Sequence, residues 1–168
     1  MPNSSNHRMD DVYTKPGHLF RRMQQIAVAI FAEECRAFDV TPVQYAALVA
    51  IRAYPGIDAT RLSAVIAFDR STLGSVIERL ETKGFITRKS ASYDKRVKLL
   101  YLTKAGARTL RSIMPSINRA QARMLEPLKG ADRAHLIELM RRLVHLNNEA
   151  SRVPLRADHV AAHLEKSR

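Results

Sequence analysis

Five cations stand close together at Arg88, Lys89, Lys95, Arg96 and Lys98, and only Asp94 opposes them. Such a cluster suits a polyanion, because each cation that neutralises a phosphate releases a condensed counterion. A solvated loop would carry the same charges, so the cluster alone decides nothing. Just upstream, residues 69–83 place Leu73, Val76, Ile77 and Leu80 at helical spacing. The remaining face of that helix presents Arg70, Ser71, Thr72, Ser75, Arg79 and Thr82. Short hydroxyl side chains permit close approach to base edges and phosphates. Arginine adds a charge-assisted bond to phosphate or a two-pronged bond to guanine. The helix start contributes free N–H groups that favour anions. Asp69 reads as the cap of this helix, since a carboxylate beside phosphate is repelled while the helix start welcomes it. Glu78 would repel phosphate too and is expected to pair with a neighbouring arginine. Gly74 has two readings: room for a close approach of DNA, or a tight contact with another helix.

A second group, His18, Arg22 and Gln25, is spaced four and three residues apart and so shares one helix face. A carboxylate on a flat ring would suit it, with Arg22 as ion partner, His18 and Gln25 as donors, and Phe38 or Tyr45 as an aromatic wall. The plainer reading is that Arg21 and Arg22 are exposed or pair with acids of another chain, and that His18 caps its helix. His159 and His163 are four apart, but no third metal ligand accompanies them, and a solvated segment is the expectation. No nucleophile elbow, phosphate-cradling loop or paired-carboxylate arrangement is recognisable. The sequence therefore points to neither an enzyme nor a bound cofactor or metal.

These groups sit in a chain of 168 residues with formal net charge +12 and 46% hydrophobic residues. That composition fits one globular domain with an appended segment. A basic excess of this size points to nucleic acid or an anionic membrane surface. The excess is uneven: residues 1–40 hold five basic and five acidic side chains, whereas 68–104 hold nine and four. A single Cys allows no internal disulfide, and no apolar run approaches 18 residues. The polar first residues suggest neither a signal peptide nor an anchor, and a reducing cytoplasm is the expected setting.

The elements that must position the two groups follow from periodicity. Residues 1–15 are expected to be flexible. Pro16 can open a helix, and Leu19, Met23, Ile26, Ile30 and Phe31 carry it to about Arg36. Thr41-Pro42 is a cap and first turn for a second helix that buries Tyr45, Leu48 and Val49 and ends before Tyr54-Pro55-Gly56. A third, short helix opens at Asp58. After the helix of residues 69–83, Gly84 supplies a left-handed stop. The runs 85–88 and 98–102 read as an antiparallel hairpin with a long tip. A helix from Thr103 follows, with Pro115 expected to kink or split it. The last helix, from about Ala131, places Leu136, Leu139, Met140, Leu143 and Leu146 on one face. The fold class is thus mainly α with a small β-hairpin wing, a winged helix-turn-helix. Residues 41–103 form the DNA-binding region, 16–40 and 104–148 flank it, and 149–168 are a polar tail.

The stretches Asp69-Arg70-Ser71-Thr72-Leu73, Val76 to Ile86, and Asp94-Lys95-Arg96 with Lys98 to Gly106 resemble the MarR family of bacterial transcriptional regulators. Thr41 to Leu48 adds weaker support, and the likeness spans roughly residues 16–148. The resemblance implies a homodimer with interlocked first and last helices, and a pseudo-palindromic double-stranded DNA operator. It further implies recognition helices in successive major grooves and wings at the flanking minor grooves. It makes Arg96 the wing arginine and Asp94 its brace. Ala91-Ser92 stands where relatives often carry Asp-Pro, a departure that leaves the tip less constrained. Gly17 to Gln25, together with Tyr45, is similar to repressors of benzoate and nicotinate breakdown. The implied effector is a small aromatic acid of the hydroxynicotinate kind. Two alternatives remain: a thiol redox sensor built on Cys35, and a winged-helix architectural protein without an effector. Glu33 and Glu34 beside Cys35 argue for an inert thiol.

Overall fold

The computed structural model describes residues 9–156. The His159–His163 pair and the rest of the expected tail beyond residue 156 lie outside the described residues, as do residues 1–8. Within the segment expected to be flexible, Met9–Tyr13 form a short helix, α1. Asp10 and Asp11 in its first turn complement the helix dipole.

Helix α2, Pro16–Glu34, begins on proline as its sequence suggests. A turn of 3-10 helix, Arg36–Phe38, and a left-handed Asp39 (φ 48°) redirect the chain. Helix α3, Pro42–Ala53, opens with a full capping box: Gln44 N donates to Thr41 Oγ1 (3.3 Å) and Thr41 N to Gln44 Oε1 (3.1 Å). Strand β1, Ile57–Asp58, leads into α4, Ala59–Ile66, which Asp58 caps through the backbone N–H groups of Thr60 and Arg61. Helix α5 is Arg70–Thr82 and buries the four expected side chains, Leu73, Val76, Ile77 and Leu80. Gly84 follows at φ 69°.

Strands β2, Ile86–Ser90, and β3, Lys98–Leu102, form the wing, with Arg88 opposite Leu100. The hairpin is part of a three-stranded sheet, because β1 pairs with β3 through Ile57 and Leu100. Two residues are too few to show an alternating pattern, so β1 leaves no periodic signal in the sequence. Helix α6, Lys104–Leu125, runs through Pro115 without a split. The buried Leu110, Ile113, Ile117 and Ala120 on both sides of Pro115 anchor the helix and offset the bond that proline cannot donate. Helix α7, Gly130–Leu146, precedes a 3-10 turn, Asn148–Ala150.

Two cores result. Leu48, Ile51, Ile57, Leu62, Leu73, Leu80 and Leu100 close the first, where α3, α4 and α5 meet the sheet. Phe31, Cys35, Val40, Ile113 and Ile117 form the second, between α2 and α6. The wing base is clamped to α6 by Thr103, whose hydroxyl caps that helix and donates to the Gly84 carbonyl (2.6 Å). Gly106 makes this approach possible, since a Cβ there would stand 2.1 Å from the Phe85 carbonyl oxygen. Helix α7 buries no residue, and Leu19, Phe20 and Met23 of α2 are exposed.

Candidate nucleic-acid interface

The start of α5 is built by Asp69. Its carboxylate accepts from the Ser71 backbone N–H (2.8 Å) and from the Ser71 hydroxyl, and these bonds hold the acid below the usual carboxylate range. Thr72 Oγ1 donates to the Asp69 carbonyl (3.0 Å), Ser75 Oγ to Thr72 (2.9 Å) and Thr82 Oγ1 to Glu78 (2.9 Å). Each hydroxyl is parked on its own helix yet exposed, with lone pairs free to accept. Arg70 and Arg79 are exposed and make no side-chain hydrogen bond or ion pair among the described residues. No atom lies within 4 Å of a Cβ built at Gly74, which rules out the helix-contact reading and leaves an open exposed position. The far end of α5 is tethered by Lys83, whose Nζ lies 2.9 Å from the Asp39 carboxylate.

The wing holds its cations in different ways. Arg96 is forked onto Asp94 through Nε (3.2 Å) and a terminal nitrogen (3.1 Å), while its backbone N–H bonds the same carboxylate (2.9 Å). These bonds lower the Asp94 acid. The Arg96 side chain remains 92% exposed, so the brace aims the guanidinium without hiding it. Lys95 is also exposed. Lys98 donates to Ser90 Oγ (2.8 Å), and Lys89 stands 5.2 Å over the Tyr101 ring. Arg88 is paired with Glu81 of α5, so a phosphate there competes with that carboxylate. Glu78, expected to pair with an arginine, makes no ion pair among the described residues: Arg88 reaches Glu81 instead. The tip closes through Ala91 N to Val97 O and Val97 N to Asp94 O, both 3.0 Å.

A cavity of about 600 Å³ separates α5 from the sheet, and Arg70, Gly74, Arg88, Arg96 and Lys98 line it. Helix and wing therefore address one surface. Arg61 and Tyr93 also line the cleft. Neither stands out in the sequence, because one belongs to a different helix and the other to an irregular tip.

The second group divides. Arg22 donates to Gln25 Oε1 (2.9 Å) on an exposed face of α2. His18 sits by Arg21 (3.5 Å) and tilts its ring against Tyr13, 5.4 Å away, so it makes no cap. Phe38 and Tyr45 pack instead on the second core, with Tyr45 6.4 Å from Phe31 and bonded to Met114 Sδ (3.4 Å). From His18 to Phe31 the helix rises on the order of 20 Å at 1.5 Å per residue. From Gln25, the member of the first set nearest Phe31 along α2, the rise is only about 9 Å. Cys35 is buried, and its burial followed by the Glu34 charge pushes the thiol up. A peroxide sensor needs an exposed thiol of lowered pKa, so the redox alternative has no support here.

Residues 40–98 match the MarR family. The fold aligns with the PcaV transcriptional regulator of Streptomyces coelicolor, solved in complex with its natural ligand. Sequence identity is 33% and the TM-score 0.70, over 80% of this chain and 95% of that one. The chain belongs to the MarR family. Among its relatives is the transcriptional repressor NicR of Pseudomonas putida, 25% identical over 83% of this chain and 89% of NicR. Another is BpsR of Bordetella bronchiseptica, whose DNA binding is regulated by 6-hydroxynicotinic acid. It is 27% identical, with a TM-score of 0.72 over 78% of this chain and 94% of BpsR. As a MarR-family protein the chain is a winged-helix transcriptional regulator, and its relatives are regulators rather than enzymes. No helix among the described residues is long and apolar enough to cross a membrane.

Proposed function

We propose that this MarR-family regulator is a homodimeric cytoplasmic repressor of an aromatic-acid catabolic operon, released from a pseudo-palindromic operator by a small aromatic carboxylate. The observation that carries the reading is the single cleft in which Arg70 of α5 and the braced Arg96 of the wing meet. It supports reading of bases by Arg70, Ser71, Thr72, Ser75 and Arg79 while Lys95, Arg96 and Lys98 follow the backbone. The exposed apolar faces of α2 and α7 support the dimer, since contiguous apolar surface of this kind calls for a cover. Two-fold symmetry then sets half-sites about 34–36 Å apart.

The effector reading draws on BpsR and on the Arg22–Gln25 pair with His18 beside it. A ring carboxylate would meet Arg22 by a charge-assisted bond and Gln25 by an amide donor. Phe38 and Tyr45, partly buried against the second core, are read as the aromatic wall of the same site. The test is a thermal-shift screen with benzoate, hydroxybenzoate and 6-hydroxynicotinate, followed by gel shifts on the promoter. A binder at a hundredfold excess over its Kd stabilises by about 2.7 kcal/mol. Arg22→Ala should remove that shift while leaving DNA binding intact. A wild-type protein that none of the acids stabilises would favour the architectural alternative.

A further inference from the structure

The stretch after α7 folds back onto the DNA-binding module. Asn148 Oδ1 accepts from Leu155 N (2.8 Å), and the Glu149 carboxylate holds both terminal nitrogens of Arg156 at 2.6 Å. Arg156 N then donates to the Ala64 carbonyl of α4 (3.0 Å). Residues 148–156 thus form a closed clasp pinned beside the turn between α4 and α5. The clasp sets Arg152 against Asp69, with a terminal nitrogen 3.6 Å from Oδ2 and the side chain 93% exposed.

We infer that this clasp is a third element of the DNA interface, in which Arg152 contacts a backbone phosphate at the N-terminal end of α5. The two arginines of the clasp differ in a telling way. Arg156 is spent on a two-pronged pair with Glu149 and serves as the pin. Arg152 makes one long contact and keeps its other donors in solvent. It stands by Asp69, the cap that precedes Arg70, Ser71 and Thr72, the residues read as facing bases. A carboxylate in that place repels phosphate, and Arg152 cancels its charge. With that charge cancelled, the exposed guanidinium of Arg70 and the positive end of the helix dipole leave a local positive excess. A phosphate oxygen is the partner that satisfies both.

This inference rests on α5 being the DNA-reading helix, and the experiment separates the two. Full-length wild type, Arg152→Ala, Arg152→Lys and Arg96→Ala are titrated onto a mixed-sequence duplex of about 30 base pairs, three helical turns, by fluorescence anisotropy at several salt concentrations. Each protomer engaged through Arg152 should lose about eightfold in affinity near 0.1 M salt and about 0.9 of the log–log salt slope on change to Ala. Arg152→Lys, which keeps the charge, should recover most of both. Wild-type affinity and slope in Arg152→Ala, alongside a loss in Arg96→Ala, would overturn the clasp contact and leave the α5 reading standing. A loss in Arg152→Ala that Lys fails to restore would also overturn it, by showing a packing effect. No binding by wild type would overturn the α5 reading and the clasp contact together.

Discussion

The winged module and helix α7 dispose of their apolar residues in opposite ways. Leu48, Ile51, Leu62, Leu73, Leu80 and Leu100 are at most 1% exposed, so the module closes its core within the protomer, with Leu110 of α6 added to it. In α7, Leu143 is 48% exposed, Val144 65% and Leu146 74%. Both regions show amphipathic helical patterns in the sequence, yet only one finds its cover within the protomer. The contrast teaches that periodicity reports a face to be buried and is silent on which chain buries it. Under the proposed dimer it also separates two properties: stability of the module rests on packing within the protomer, and affinity for two half-sites would rest on α2 and α7.

The largest expected effect comes from breaking the incomplete side. Leu143→Asp should reduce the mass in light scattering from two copies to one. Affinity for an inverted repeat should fall by roughly 10²–10⁴, because the second half-site no longer binds as part of the same particle. Melting of the winged module should change little. An unchanged mass would remove α7 from the dimer contact. On the complete side, Leu80→Ala deletes a side chain with no exposed surface and should lower unfolding free energy by roughly 2–5 kcal/mol in denaturant titration. It should leave the dimer mass intact; a drop in mass would mean that the two regions are coupled more closely than their separate cores suggest.

The smallest effect sharpens the seam between the regions. Arg119 Nε lies 3.0 Å from Glu34, and Arg123 bridges Glu33 (2.6 Å) and Glu34 (3.4 Å), tying α6 to α2. The Arg119 bond chiefly, with Arg123 behind it, lowers the Glu34 acid. A carboxyl depressed on folding stabilises fully above its unfolded value, about 4.3 for Glu. That contribution fades as pH falls from there through the folded value. The melting advantage of wild type over Glu34→Gln should therefore be modest and flat near neutrality and vanish in acid. An advantage that grows as pH drops would contradict the assignment. Because the pair is solvent-exposed, high salt should shrink it.

Much of this was legible locally. Leu73, Val76, Ile77 and Leu80 announce α5 and Gly84 its end; Thr41-Pro42 marks the start of α3; the run Asp94-Lys95-Arg96 places the brace next to the cation it aims. All are relations among residues within a few positions. What escaped is set by distance along the chain. Strand β1 exists because Ile57 pairs with Leu100, and Lys83 finds Asp39 across 44 positions. Glu81, rather than Glu78, takes Arg88, because the register of β2 against α5 decides which carboxylate lies within reach. The shared face of His18, Arg22 and Gln25 followed from helical spacing, whereas the packing of Tyr45 and Phe38 beside Phe31 depends on how α3 and the preceding turn meet α2 and α6.

The amino-acid sequence by itself determined the order of the main helices and the hairpin, the faces of the helices, their caps and the family, because these depend on propensity, periodicity and contacts between near neighbours. Only the tertiary structure decided which charges remain available. Arg88 and Arg156 are neutralised by partners, Arg96 is aimed by one, and Arg152 is carried from the end of the chain to the start of α5. The physical reason is that an ion pair forms wherever folding brings opposite charges within a few ångströms, and that proximity is a property of the assembled core.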